Sequence, residues 1–176
     1  MFLAQNFFAV DRETGRYDAG RGLLLKGDGK GGLQPVPATE SGIRVHGEQR
    51  GAAAADFDGD GRTDLVVTQN AGPVRLFHNQ AARPGLRVRL VGRPGNHAAI
   101  GAQLRLVFNP QPGPVHEVRA GSGHASQDFP VLVLPTPSEP SRLWIRWPGG
   151  ETKEHPVPMG AREVEADIQG TLRVVR

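Results

Sequence analysis

Apolar and polar residues alternate along the second half of the chain with the period of two that half-buried β-strands show. In Leu86–Leu90, three aliphatic residues alternate with two arginines. Segments 102–108 and 143–147 repeat this alternation, and residues 171–176 form one more candidate strand. Glycine, proline and asparagine separate these segments, as they do in turns. The pattern predicts an all-β fold whose second part is a small antiparallel, sandwich-like domain.

The first half contains two similar segments. LAQN at 3–6 and VTQN at 67–70 each precede a second apolar run that ends in a polar turn. Self-similarity at such a spacing is typical of β-propeller blades. The alanine-rich run 51–56, the one helix-like stretch, becomes a strand in this interpretation. We expect the chain to begin inside a repeat, so that it is a fragment or its other blades are supplied elsewhere.

Composition supports the β interpretation and excludes several classes. The 24 glycines and 15 prolines fit a chain with many turns and argue against a helical bundle. The absence of cysteine excludes disulfides and thiolate metal sites. No apolar stretch approaches the length of a membrane span, and the N-terminus does not resemble a signal peptide. The pattern breaks at 82–85, which predicts a repeat region over 1–83 and a β domain over 84–176.

The loop between two apolar runs of the first half is strongly acidic. In DFDGDGRTD, carboxylates stand at Asp56, Asp58, Asp60 and Asp64. They repel one another unless a cation neutralises them, and alternate spacing lets the first three converge on one centre. Gly61 permits a sharp turn through positive φ, and Arg62 would offer its backbone carbonyl. Because Ca²⁺ prefers flexible oxygen cages, the loop predicts a calcium site.

Two other interpretations of this loop are weaker. Mg²⁺ fits less well, because it demands rigid octahedral geometry and retains its waters. An aspartate-glycine turn that binds no ion is the simpler alternative. The loop is not an EF-hand, because position 12 is Val67 rather than glutamate and an apolar strand follows.

The acidic loop and the strand after it, residues 56–80, resemble an FG-GAP/VCBS repeat, the calcium-loop blade of integrin-type propellers. LRVRLVG, NHAAIGAQLRL, HEVRAGSGHASQ and SRLWIRWPGG, between residues 86 and 150, resemble an ASPIC/UnbV domain. The stretch FPVLVLPTPSEP departs from that family's pattern, so this edge is expected to be built differently. The resemblance implies an extracellular or cell-envelope (periplasmic) location and a binding or scaffolding role, with no settled reaction.

One polar loop of the second domain is a candidate ligand loop, with chemistry at Ser122, His124, Ser126, Gln127 and Asp128. It superficially offers a Ser/His/Asp set but lacks the G-x-S-x-G elbow of a nucleophile. A turn whose hydroxyls bind backbone groups is the simpler interpretation. The six histidines form no zinc signature. GDGKGG at 27–32 lacks phosphate-loop spacing and predicts a hairpin turn.

Two features of the second domain bear on partners. Trp144 and Trp147 point to opposite sides of a strand, so one is expected in the core and the other could stack on a sugar. Arg87, Arg89, Arg105 and Arg146 could share one sheet face, which would suit nucleic acid. Yet the net charge is only +3 and the arginines are dispersed, which makes nucleic acid an unlikely partner.

The sequence therefore predicts a calcium-stabilised extracellular binding or adhesion module, non-catalytic, with a protein or glycan partner. Exposed blade edges would allow a homo-oligomer. The alternatives are an accessory domain of a secreted or biosynthetic enzyme and arginine-mediated nucleic-acid binding.

Overall fold

The computed structural model describes residues 1–109, 111–124 and 126–176, and nearly all of its regular structure is β-strand. It divides into two compact units. The first comprises Met1–Ala54, Leu65–His78 and Gly123–Gln127, and the second comprises Ala55–Asp64, Asn79–Ser122 and Asp128–Arg176. The acidic loop thus belongs to the second unit. Within the described ranges, no helix has the length and apolarity needed to cross a membrane.

The first unit is built on two small three-stranded sheets. One is antiparallel and contains, in order, β1 (Phe2–Leu3), β2 (Leu23–Gly27) and β3 (Leu33–Val36). The other has the order β4 (Gln49–Ala55), β5 (Asp64–Gln69) and β6 (Gly72–Phe77). A single helical turn, α1 (Ala38–Ser41), stands between them in the chain. The alanine-rich run is therefore a strand, as the repeat interpretation requires.

The two Gln-Asn pairs of the repeat contact the same short segment, residues 46–49. The side-chain amide of Asn6 donates to the carbonyls of His46 at 3.1 Å and Gly47 at 3.0 Å. The side-chain amide of Asn70 donates to the Glu48 carboxylate at 3.0 Å, and its backbone N–H donates to the Glu48 carbonyl. The asparagines of the two similar segments therefore both donate side-chain hydrogen bonds to residues 46–49.

The second unit is a sandwich of two sheets. The first has the order β10 (His116–Glu117), β8 (Gln103–Phe108), β12 (Arg142–Arg146) and β13 (Thr152–Pro156), with β9 (Gln111–Pro112) also paired to β8. The second has the order β11 (Leu132–Leu134), β7 (Leu86–Val91), β14 (Glu163–Asp167) and β15 (Leu172–Val174). The four alternating segments of the sequence correspond to β7, β8, β12 and β15.

One strand pair differs from the expected antiparallel domain. β14 lies parallel to β7, with Glu163 opposite Arg87 and Asp167 opposite Val91. A parallel pair needs a long connection between its strands, and here that connection includes the whole other sheet. Among the described residues of this unit, the other strand pairs are antiparallel.

The core of the sandwich is formed by the inward residues of both sheets. Leu86 and Val88 from β7 are 2% and 1% exposed, and Leu143 and Ile145 from β12 are fully buried. Trp147 is 1% exposed and lies in the same cluster, so it is the core tryptophan. Trp144 points to the opposite side of β12 and is only half-buried.

Candidate metal centre

The acidic loop connects β4 to β5, so it is a strand–loop–strand element as predicted. Two of its glycines, Gly59 and Gly61, have φ of 76° and 84°, in the left-handed region that side chains rarely adopt. The Gly61 carbonyl accepts a 2.7 Å hydrogen bond from the backbone N–H of Gly85, immediately before β7. The loop is therefore fixed against the sandwich by its own backbone.

Backbone N–H groups orient the carboxylates of the loop. Asp56 accepts from Asp60 at 3.0 Å through one oxygen and from Gly61 at 2.8 Å through the other. Asp64 accepts from Phe57 at 2.9 Å and from Asn79 at 2.8 Å. Because Asp56 and Asp64 are 7% and 3% exposed, these bonds hold the two ends of the loop closed.

Three of the predicted ligands come together. Asp56, Asp58 and Asp60 each offer a carboxylate oxygen, and these oxygens lie within 4.8 Å of one another. Asp64 has an oxygen within the same distance of one on Asp58. Two oxygens on opposite sides of a Ca²⁺ ion are separated by about 4.8 Å, twice a typical Ca–O distance of about 2.4 Å. The spacing and the all-oxygen donor set therefore fit Ca²⁺.

Two guanidinium groups also contact the loop carboxylates. The side chain of Arg62 pairs with Asp60 at 2.5 Å and donates to the Ala82 carbonyl at 2.7 Å. Arg87 of β7 pairs with Asp56. The four loop carboxylates outnumber these two guanidinium groups, and Arg87 is shared with Glu163, so the loop keeps a net negative charge that a divalent cation would offset.

Sequence reasoning missed the role of Arg87. Its guanidinium lies between the carboxylates of Asp56 and Glu163, with a 3.0 Å bond from Nε to Glu163. Burial alone would lower the pKa of Arg87, but the hydrogen bonds to the two carboxylates outweigh it and raise the pKa. In the sequence, Arg87 is one polar residue of an alternating strand. The alternation predicts that such a residue faces solvent, so it gave no indication of a buried ion pair.

The predicted arginine face is wrong. Arg87 and Arg89 lie on β7, whereas Arg105 lies on β8 and Arg146 on β12, in the other sheet. Arg87 is buried in the ion pairs above, and Arg89 lies 3.8 Å from the Glu165 carboxylate. Alternation identifies which residues share a face of one strand, but it does not assign strands to sheets.

The predicted ligand loop is described at residues 122–124 and 126–128. The Ser122 hydroxyl oxygen accepts a 2.7 Å hydrogen bond from the backbone N–H of Asp128. Gly123 and Ser126 form an isolated β-bridge. Ser122, His124 and Gln127 are exposed, whereas Ser126 and Asp128 are half-buried. The Ser122 hydroxyl thus satisfies a backbone group, as expected of a turn.

The second unit has one large described cavity, of about 870 Å³, at the end of β8. Phe108, Pro112 and Pro135 line it, and Arg83 and Glu139 are its charged lining residues. The Glu139 carboxylate accepts a 3.0 Å bond from the backbone N–H of Gly160, so it is engaged in holding a turn.

Two family models and one known protein are similar to parts of this chain. A family model described as FG-GAP repeat matches residues 50–77, and one described as ASPIC and UnbV matches residues 92–170. Cartilage acidic protein 1 of Xenopus tropicalis is 28% identical to this chain over 141 residues. The match covers 77% of this chain and 21% of that protein, so the chain spans about a fifth of the relative's length.

Proposed function

We propose that this chain, parts of which match family models described as FG-GAP repeat and as ASPIC and UnbV, is a calcium-stabilised binding module of extracellular or cell-envelope type. Its role is adhesion or scaffolding, and no residue is assigned to catalysis. The observation that carries the proposal is the convergence of Asp56, Asp58 and Asp60 in a loop with a net negative charge.

In this proposal calcium has a structural task. Asp56, Asp58, Asp60 and Asp64 hold the ion together with the backbone carbonyl of Arg62, and the ion supplies the positive charge that lets the carboxylates lie close together. The N–H groups of Phe57, Asp60 and Gly61 already orient these side chains. The ion then holds the two ends of the loop close together, where the loop follows β4 and precedes β5.

Binding is assigned to exposed side chains, with a protein or glycan as partner. The proposed ligand loop has Ser122, His124 and Gln127 exposed, together with the half-buried Ser126 and Asp128.

Self-association through a strand edge is a further part of the proposal. β6 is an edge strand, and its Val74 and Leu76 are 62% and 49% exposed. Exposed apolar edges favour pairing with a second chain. We expect a dimer mass in light scattering that reverts to the monomer in Val74→Lys, and a monomer at high protein concentration would contradict this part.

The test is a thermal melt in EGTA, in Ca²⁺ and in Mg²⁺. At about 100 times Kd, Ca²⁺ adds about 2.7 kcal/mol of stability, or about 5–10 °C in Tm for a chain of this length. Asp58→Asn and Asp60→Asn should abolish the rise. Asp28→Asn is the matched control, because Asp28 is also an aspartate in a glycine-rich turn, where it accepts N–H bonds from Lys30 and Gly32.

Two results would contradict the calcium site. One is a melting temperature that does not respond to Ca²⁺. The other is an equal response in the wild type and in the Asp58→Asn/Asp60→Asn double variant.

A further inference from the structure

The outward face of the sheet that contains β8, β12 and β13 has a tryptophan at its centre. Trp144 of β12 lies opposite Arg105 of β8 on one side and Glu154 of β13 on the other. Arg142 and Arg146 flank it along β12, each about 7 Å away along the strand. The inward neighbours Leu143 and Ile145 already fill the core, so Trp144 is not required there.

Arg105 is held in place by this tryptophan. Its guanidinium carbon lies 4.7 Å from the centre of the Trp144 ring, which is a cation–π contact. The Nε atom of Arg105 is buried and has no hydrogen-bond partner among the described residues. Stacking on Trp144 covers this inner edge of the guanidinium and fixes its plane, so any external anion has to be bound by the terminal nitrogens.

The charges of this face favour an anion. Arg142 pairs with Glu154 at 2.8 Å, and both side chains are nearly half exposed. This pair leaves the positive charges of Arg105 and Arg146 without a facing carboxylate on β12 or β13. Arginine binds carboxylates through two parallel N–H bonds, and stacking on an aromatic ring fixes the guanidinium plane in advance.

We propose that this surface binds an acidic oligosaccharide, one whose sugars carry carboxylates. The rigid Trp144–Arg105 pair forms a flat surface against the sugar ring, and Arg105 and Arg146 bind the carboxylates. Gln103, opposite Arg146, and Glu154 offer groups that pair with sugar hydroxyls. This inference rests on the proposed binding role and names its partner class and its surface.

A nucleic acid fits this surface less well. Glu154 lies directly beside Trp144, so an anionic group can be placed only on the side of the ring that carries Arg105. Arg87 and Arg89, which would have extended a basic surface, are engaged by carboxylates of the other sheet. The surface therefore has two available cations rather than the continuous basic stripe that polyphosphates require.

The experiment is isothermal titration of the full chain, in Ca²⁺, with a hexamer of galacturonic acid. A glucose hexamer and a ten-nucleotide oligothymidylate are the comparison probes. We expect binding of the acidic hexamer alone, at least tenfold weaker in Trp144→Ala and in Arg105→Gln. Tyr17→Ala is the matched control, because Tyr17 is an aromatic side chain 60% exposed in the other unit. The Tyr17→Ala variant should bind the acidic hexamer with the affinity of the wild type.

Arg146→Glu gives a second variant at an exposed position whose folding is not in question. Charge reversal there should also weaken binding at least tenfold. The proposal is overturned if the wild type does not bind the acidic hexamer, or if Trp144→Ala and Arg146→Glu bind it normally. Equal binding of oligothymidylate or of the glucose hexamer would overturn it too. The calcium melt is run on the same samples. A protein that responds to Ca²⁺ but does not bind the acidic hexamer would therefore contradict the oligosaccharide site and leave the calcium site standing.

Discussion

The carboxylate of Asp56 and the guanidinium of Arg87 form a buried ion pair, with side chains only 2% and 11% exposed. Glu163 of β14 binds the other side of the same guanidinium. Asp56 is the first residue of the acidic loop and Arg87 lies in the middle of a sheet. One arginine therefore connects a proposed metal ligand to the parallel strand pair of the sandwich.

Replacing Arg87 by methionine should destabilise the protein by about 3–5 kcal/mol, because Asp56 and Glu163 would remain buried without a counter-charge. Urea unfolding in EGTA measures this loss. Ca²⁺ should then raise the stability of the variant more than that of the wild type, since it restores a positive charge beside Asp56.

The matched control for this ion pair is Arg142→Met. Its pair with Glu154 is equally short but nearly half exposed, so its loss should cost under about 1 kcal/mol. Equal stability of Arg87→Met and Arg142→Met would contradict the structural role of the buried pair.

Gly61→Ala should destabilise the second unit and weaken calcium binding. A Cβ at this position would lie 3.1 Å from the Gly85 carbonyl oxygen, on a backbone with φ of 84°. A strained residue of this kind costs about 1–3 kcal/mol. Gly29→Ala separates the strain of a positive φ from the steric contact of the new Cβ. Gly29 has a φ of 75°, but a Cβ built there has no atom within 4 Å. Differential scanning fluorimetry should rank Gly61→Ala clearly below Gly29→Ala.

Acidification should destabilise the sandwich through His155. This side chain is 6% exposed, faces Leu143, and its Nε2 atom has no hydrogen-bond partner among the described residues. Burial, assisted by the charge of Lys153, lowers the pKa of His155 more than Asp167 raises it. The unfolded chain therefore takes up the proton first, and stability is lost as the pH falls from about 6.5 towards the lower pKa of the folded state.

His155→Phe removes this titrating group, so its urea midpoint should fall less between pH 7 and pH 5 than that of the wild type. Parallel profiles for the wild type and His155→Phe would refute the assignment. His116, whose pKa is also lowered by burial, contributes a slope of the same sign in both proteins.

The side chain of Asn6 should stabilise the conformation of residues 46–49 through its hydrogen bonds to His46 and Gly47. Its backbone φ is 73°, which glycine adopts without strain, so Asn6→Gly removes the hydrogen bonds and adds no steric conflict. We expect a loss of about 1–3 kcal/mol from the unpaired carbonyls and faster hydrogen exchange in this segment. Asn6→Asp, which places a carboxylate against the carbonyls of Gly20, His46 and Gly47, should be at least as harmful. Wild-type exchange rates in Asn6→Gly would contradict this role.

Local patterns predicted much of this molecule. Period-two alternation located β7, β8 and β12 correctly, because each has one face on the core and one in solvent. Alternation also separated the two tryptophans, although only burial identified Trp147 as the inner one. The acidic loop was visible because its ligands are close in sequence.

Long-range relationships could not be obtained in this way. The parallel pairing of β7 with β14 depends on a connection of more than seventy residues, which no local pattern specifies. The same is true of Arg87, whose partners Asp56 and Glu163 lie 31 and 76 residues away. The calcium ligands remain a prediction, and the melt with Asp58→Asn and Asp60→Asn tests them.

The contacts of Asn6 and Asn70 run in opposite directions along the chain. Asn6 reaches a carbonyl 40 residues after it, whereas Asn70 reaches a glutamate 22 residues before it. Residues 46–49 therefore receive one amide from each copy of the Gln-Asn pair. This short segment sets the spacing of the two copies, so a change in the length of either intervening stretch must leave both amides within reach of it.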